Sequence, residues 1–236
     1  MIKRGKRYKA ILEKVDLAKM YSLDEAVALA KECATAKFDE SLELHVRLGV
    51  DPRHADQQIR STIVLPHGTG RTKRICVLAL GDKQQEAKDA GADIVGGEAL
   101  IKEISDGMMD FDSVIATPDI MKFAGRLGKV LGPKGLMPTA KAGTVTFDVA
   151  DAVKEIKAGR IEFRVDKTAI THNAVGKASF PLEHLQANVK ALFRAIVKAR
   201  PAVVKGTYVK SLSLTSSMGV GIKVDPVQAQ KDTAGL

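Results

Sequence analysis

Tryptophan is absent from this chain, and aromatic residues make up only 4% of its 236 residues. A protein that stacks successive bases on aromatic platforms needs more rings than that, so this mode of single-strand binding is disfavoured. There are two cysteines, Cys33 and Cys76, both in apolar surroundings. They read as small core residues, which excludes a disulfide framework and fits a reducing cytoplasm. Nowhere do 18 apolar residues follow one another, and the basic start, Met1 to Lys9, leads into no apolar run of signal-peptide length. No membrane role is expected, least of all without a basic amphipathic helix carrying bulky anchors.

The usual chemical signatures are missing as well. After the first continuous apolar run comes Gly81-Asp82-Lys83-Gln84-Gln85-Glu86, which matches neither G-x-G-x-x-G nor G-x-x-x-x-G-K-[ST]. No H-E-x-x-H, C-x-x-C or G-x-S-x-G occurs, and the five histidines lack metal-ligand spacing. The expectation is a non-enzyme with no cofactor and no metal.

What is present is positive charge, unevenly placed. The formal charge is +9 and the pI about 9.5, which favours a polyanionic partner. Basic and acidic residues number 12 and 10 over residues 1–66, 13 and 13 over 67–159, and 12 and 5 over 160–236. The neutral middle nevertheless contains Lys122, Arg126, Lys129, Lys134 and Lys141 between Ile120 and Gly143 with no acidic residue among them. Glycine and proline are dense there (Gly125, Gly128, Gly132, Pro133, Gly135, Pro138, Gly143), so the segment reads as an exposed loop. Glycines such as Gly132 and Gly135 let backbone N–H groups approach phosphate or ribose oxygens beside the lysines.

Taken in order, residues 1–10 read as a basic arm that is flexible in isolation. Ser22 to Glu25 has capping-box spacing, opening a helix with Leu23, Ala26, Val27 and Ala30 inward. Ser41 to Leu48 alternates polar and apolar, a half-buried strand whose open face carries His45 and Arg47. Ile59 to Leu65 is a second strand. Beyond His67-Gly68-Thr69-Gly70 the pattern changes to continuous apolar runs. Strands at Ile75 to Leu80, Ile94 to Val95, Ser113 to Ala116 and Thr144 to Phe147 alternate with helices at 82–90, 98–105, after Thr117 as cap, and at 148–157. Strand patterns then return at 160–165 and 169–173 as a hairpin-like pair. A helix follows over 182–199, with two more strands at 207–214 and 220–224 and a frayed tail after Asp225.

The fold class is therefore α/β combined with α+β. A discontinuous, split α+β outer domain (1–67 and 160–236) receives an inserted Rossmann-like parallel α/β domain (68–159). Two strands of chain would join them as a hinge. Hydroxyl-bearing turns of the outer domain, Asp166-Lys167-Thr168, Ser211 and Ser217-Met218-Gly219, together with Lys37-Phe38, suit RNA, whose 2′-OH both donates and accepts.

These stretches resemble a known family, that of large-subunit ribosomal protein one, the protein of the mobile stalk beside the tRNA exit site. The most specific part is Gly128-Lys129-Val130-Leu131-Gly132-Pro133-Lys134-Gly135-Leu136-Met137-Pro138, followed by Asp166-Lys167-Thr168 and Ser217-Met218-Gly219. The N-terminal arm resembles the bacterial type. The resemblance implies a cytoplasmic, ribosome-bound protein that binds the stalk region of large-subunit ribosomal RNA. It further implies assistance to exit-site tRNA release and repression of translation through its own operon mRNA. It places the main RNA patch on Lys37, Phe38, Ser41, Asp166, Lys167, Thr168, Ser211, Ser217, Met218 and Gly219. A secondary patch falls on Arg126, Lys129, Gly132, Lys134, Gly135 and Lys141. Serine stands at 41 and 217 where threonine is expected. Free of the ribosome, the chain is expected to be a monomer. The competing reading is an α/β enzyme or regulator that binds a phosphorylated small ligand.

Overall fold

The computed structural model describes residues 5–234. The chain opens with α1 (Lys6–Lys14), α2 (Leu23–Glu32), β1 (Ser41–Leu48) and β2 (Arg60–Val64). It continues through β3 (Ile75–Leu78), α3 (Asp82–Asp89), β4 (Ile94–Gly96), α4 (Glu98–Ser105) and β5 (Ser113–Ala116). Two single-turn helices, α5 (Met121–Ala124) and α6 (Gly128–Leu131), precede α7 (Val149–Lys157). Then come β6 (Arg160–Arg164), β7 (Ile170–Lys177), α8 (Leu182–Lys198), β8 (Val209–Ser216), β9 (Ile222–Val224) and α9 (Pro226–Ala234). Two compact units result. One joins the described residues up to Gly70 with those from Ile161 onward, and the other is Arg71–Arg160.

In the first unit an antiparallel sheet runs in the order β7-β1-β8-β9. The alternation of β1 explains its layering: Leu42, Leu44, Val46 and Leu48 are buried, while Glu43, His45 and Arg47 lie on the opposite face. The buried face shares one core with α2 and with the Leu185, Val189, Leu192, Phe193 and Ile196 stripe of α8. Each such side chain contributes about 1.5–3 kcal/mol relative to an exposed one. The capping box of α2 is formed: Glu25 N–H donates to Ser22 Oγ at 3.3 Å, and Ser22 N–H donates to Glu25 Oε2 at 3.2 Å. Satisfying two otherwise orphaned donors anchors the start of this helix.

One polar residue interrupts the α8 stripe. Asn188 is fully buried, and its carbonyl oxygen accepts from His67 N–H at 3.1 Å. Its amide donates to Gly68 O at 2.9 Å and Val175 O at 2.8 Å. One side chain thus pins the end of the first segment to β7 and α8.

Three expectations for this unit need correction. Residues 160–165 and 169–173 do not form a hairpin ladder. Instead β6 pairs with β2 in a separate two-stranded sheet tied by an Arg60–Glu162 ion pair, while β7 pairs with β1, leaving one bridge, Val165 to Thr171. The basic arm, expected to be flexible in isolation, is helical from Lys6 onward. Ile11 and Val15 find places in the core and stabilise α1, while residues 1–4 lie outside the described residues. The tail is likewise helical, because Ala229 is buried in the same core.

The second unit is built on three parallel strands in the order β4-β3-β5. All four residues of β3 are buried, as a continuous apolar run requires. Cys76 and Leu78 face a core with α4 and the short helices, and Ile75 and Val77 face α3 and α7. Burial pushes the Cys76 thiol up to about 12, which makes it an inert core residue. The expected strand at 144–147 is reduced to one parallel bridge, Ala116 to Val145. Thr117 does not cap a helix. Its hydroxyl is buried without a hydrogen-bond partner among the described residues, and a single 3₁₀ turn, Pro118–Ile120, follows it.

Candidate nucleic-acid interface

The site begins with the open face of the four-stranded sheet. Register places Glu43, His45 and Arg47 of β1 beside Ala174, His172 and Ile170 of β7. On the other side stand Thr215, Ser213 and Ser211 of β8, and Lys223 of β9 lies beside Ser213. This face therefore carries hydroxyls and charges where the buried face carries leucine and valine. His45 Nδ1 and His172 Nδ1 lie 2.8 Å apart, so one ring must donate and the other accept. His45 Nε2 lies 3.8 Å from Glu43, and His172 Nε2 lies 3.6 Å from Asp166. Burial, helped by His172, holds the His45 imidazole below its ordinary value, against the pull of Glu43.

The ten predicted outer residues fall into two groups at the ends of β1. Lys37, Phe38, Ser41, Ser217, Met218 and Gly219 gather where β1 starts and β8 ends. Ser211 stands across from Arg47 at the far end, and Asp166-Lys167-Thr168 forms the turn that enters β7 beside it. Six strand steps separate the ends, about 20 Å. That length can follow several nucleotides of an RNA backbone.

At the first end, Phe38 is 57% and Met218 50% exposed, and Lys37 is exposed beside them. Two apolar side chains held in water next to a cation can pack against a ribose or base. The serines behave differently. Ser41 is 3% exposed, and its hydroxyl lies 3.1 Å from the Lys177 ammonium. Ser41 N–H donates to Ser217 Oγ at 3.0 Å, and Ser217 N–H donates to Ser41 O at 3.0 Å. The two serines lock the strand start to the Ser217–Gly219 turn. Ser41 is thus a scaffold residue, and the hydroxyl of Ser217 is already shared with the backbone. A Cβ at Gly219 would meet the Ser216 hydroxyl where it stands, so a larger residue there requires that hydroxyl to turn aside.

At the second end, Asp166 organises the turn. Its carboxylate accepts from Thr168 N–H at 2.8 Å, Thr168 Oγ1 at 2.7 Å and Ile170 N–H at 2.9 Å. Burial pushes its carboxyl up, but these bonds and nearby His172 outweigh that and hold it below the usual aspartate value. Ala169, at φ 63°, completes the turn in a left-handed conformation, fixed where Leu48 N–H donates to its carbonyl at 2.8 Å. Lys167 and Thr168 are left exposed at the tip.

The secondary segment in the other unit is only half a loop. Leu127 and Leu131 are buried, with Leu136 and Met137 packed against the same core, so it folds as short helical turns rather than lying open. Arg126, Lys129, Gly132, Lys134, Gly135 and Lys141 all stay exposed. Its end is closed by Arg160, which bonds Glu155 at 2.7 Å and Ala142 O at 2.9 Å. Gly143, at φ 61°, leaves room for that guanidinium.

Sequence reading missed Arg7, Glu40, Lys177 and Lys223. Alternation identified the face bearing His45 and Arg47, but no local pattern reports which residue sits across from them. Among the described residues no three His, Cys, Asp or Glu side chains group to hold a metal, and no helix is long and apolar enough to cross a membrane.

Comparison with known families adds one finding. The sequence profile described as the Ribosomal protein L1p/L10e family matches residues 29–220. Its members are structural RNA-binding proteins of the ribosome rather than enzymes. Most of the chain is covered, including both ends of the sheet face and the lysine-rich segment: the protein belongs to the ribosomal protein L1p/L10e family and is a ribosomal protein that binds ribosomal RNA.

Proposed function

We propose that the chain, a bacterial-type member of its family, binds the stalk region of large-subunit ribosomal RNA. The sheet-face patch would make the shape-specific contacts, with Lys37, Phe38 and Met218 at one end and Asp166, Lys167 and Thr168 at the other. Ser41 and Ser217 hold the first end in shape, and Ser211 and Gly219 flank the path between backbone and protein. Arg126, Lys129, Lys134 and Lys141, with Gly132 and Gly135, add cationic contacts from the second unit. In that setting the protein assists release of exit-site tRNA. The same patch, taking a similar site in its own operon mRNA, represses translation, and off the ribosome the chain works as a monomer.

The observation that carries this reading is one open sheet face with hydroxyls along its length, exposed apolar side chains at one end and an ordered turn presenting Lys167 and Thr168 at the other. RNA recognition through 2′-OH and backbone uses groups of this kind. The small-ligand alternative draws little support from the parallel unit. Its groove of about 470 Å³ is lined by Asp82, Glu86 and Asp89 with Lys154, a poor seat for a phosphate.

The test is a salt series on binding to a stalk-sized RNA fragment. Lys167→Ala should reduce the slope of log K against log salt by roughly one. Met218→Asp should weaken binding at every salt concentration. Normal binding by Met218→Asp would move the patch elsewhere.

A further inference from the structure

Two charged groups touch both first-end loops of the patch, one of them buried and the other exposed. Glu40 is 1% exposed. One carboxylate oxygen accepts from Ala36 N–H at 2.8 Å, in the loop that displays Lys37 and Phe38. The other accepts from Met218 N–H at 2.9 Å, in the turn that displays Met218. Arg7 donates to Met218 O at 3.0 Å and reaches Thr35 Oγ1 at 3.4 Å. Both polar groups of the Met218 backbone are therefore held by charged partners, and both partners also grip the 35–36 loop. Arg7 belongs to α1, which precedes the family-matched span of 29–220.

We propose that Glu40 and Arg7 form a two-point tether that sets Met218 against Lys37 and Phe38, and so controls RNA affinity without either residue touching RNA. The inference rests on the RNA-binding reading of the patch. Its physical basis is preorganisation: each loop would otherwise lose conformational freedom on binding, and that cost is subtracted from affinity. The buried carboxylate stays ionised. Burial pushes it up, but the N–H groups of Met218 and Ala36 and the nearby Arg7 charge hold it below the usual glutamate value.

The test uses the full chain with Glu40→Gln, Arg7→Met and Arg7→Lys, and reads two quantities. The first, peptide-resolved amide exchange without RNA, should speed up over residues 34–39 and 216–220 in Glu40→Gln, whose amide confronts one of the two N–H donors. Arg7 is exposed, so Arg7→Met folds normally and should loosen the same two segments even if Glu40→Gln does not fold. Unchanged exchange in both would overturn the tether whatever RNA does. The second is affinity for the stalk-sized fragment across salt. Glu40→Gln and Arg7→Met should each weaken it about tenfold with the salt slope unchanged, and Arg7→Lys should recover part of the loss. A slope lower by about one in Arg7→Met and restored to the wild-type value in the charge-conserving Arg7→Lys would make Arg7 a phosphate contact and overturn the positioning role. Loosened segments with full affinity would overturn control of binding. If the wild-type chain prefers the fragment no more than bulk tRNA, the RNA reading fails instead, and the exchange result still decides the tether.

Discussion

Replacing Asn188 with alanine removes three hydrogen bonds at once, to His67 N–H, Gly68 O and Val175 O. At about 1 kcal/mol each they sum to about 3 kcal/mol. His67 is exposed and Gly68 is half-exposed, so water can recover part of their share, whereas Val175 is fully buried and its carbonyl is left unpaired. A loss of about 2–3 kcal/mol is expected from the unit containing β1, β7 and α8. Urea unfolding followed by helix circular dichroism should show it as a midpoint lower by about 1–1.5 M, for a slope near 2 kcal/mol per molar. Asn188→Asp discriminates further. It keeps the shape but turns a charge toward two carbonyls, so its extra penalty grows as pH rises past about 4 and fades below that. An Asn188→Ala midpoint within about 0.2 M of wild type would show that this buried amide is not what pins the 67–68 segment.

The turn at Asp166 should fail in acid. Its carboxyl lies below the ordinary value when folded, so its stabilising contribution is complete above the unfolded value and is lost as pH falls through the folded one. His45, also lowered, has the same sign, losing stability as pH falls below the free imidazole value and the unfolded chain takes up the proton. Nuclear magnetic resonance titration should show Thr168 and Ile170 amides losing protection in acid in the wild type and already unprotected in Asp166→Ala. In the second unit, Lys129→Gln, Lys134→Gln and Lys141→Gln together should reduce the salt slope for RNA binding by up to about three, leaving thermal stability unchanged because all three side chains are exposed.

Periodicity carried most of the architecture. Alternation in Ser41–Leu48 gave a strand with a buried and an open face, and the continuous run at Ile75 gave a strand buried on both sides. Pairing partners were less legible. The strand patterns at 160–165 and 169–173 suggested a hairpin, but the choice of β2 and β1 as partners is made by the shared core around Phe163 and Val175. The glycine-rich segment looked open because glycine and proline dominate its composition, yet two leucines four residues apart, Leu127 and Leu131, are enough to bury one side of it. At the candidate site, exposed residues such as Phe38 and Lys167 stood out by type. Glu40 looked like one more surface acid, since no sequence pattern tells that two backbone N–H groups from distant loops converge on it. Asn188 left a trace, a lone amide within an apolar stripe at helical spacing.

The most direct test of the central claim is equilibrium binding of the full chain to a stalk-sized fragment of large-subunit ribosomal RNA, with excess bulk tRNA as competitor, at two salt concentrations. Recognition by the sheet face predicts that preference for the fragment persists as salt rises, because hydroxyl and apolar contacts are not screened as phosphate contacts are. If fragment and competitor bind alike and weaken together, the protein offers only a cationic surface, and the assignment of the sheet-face patch is contradicted.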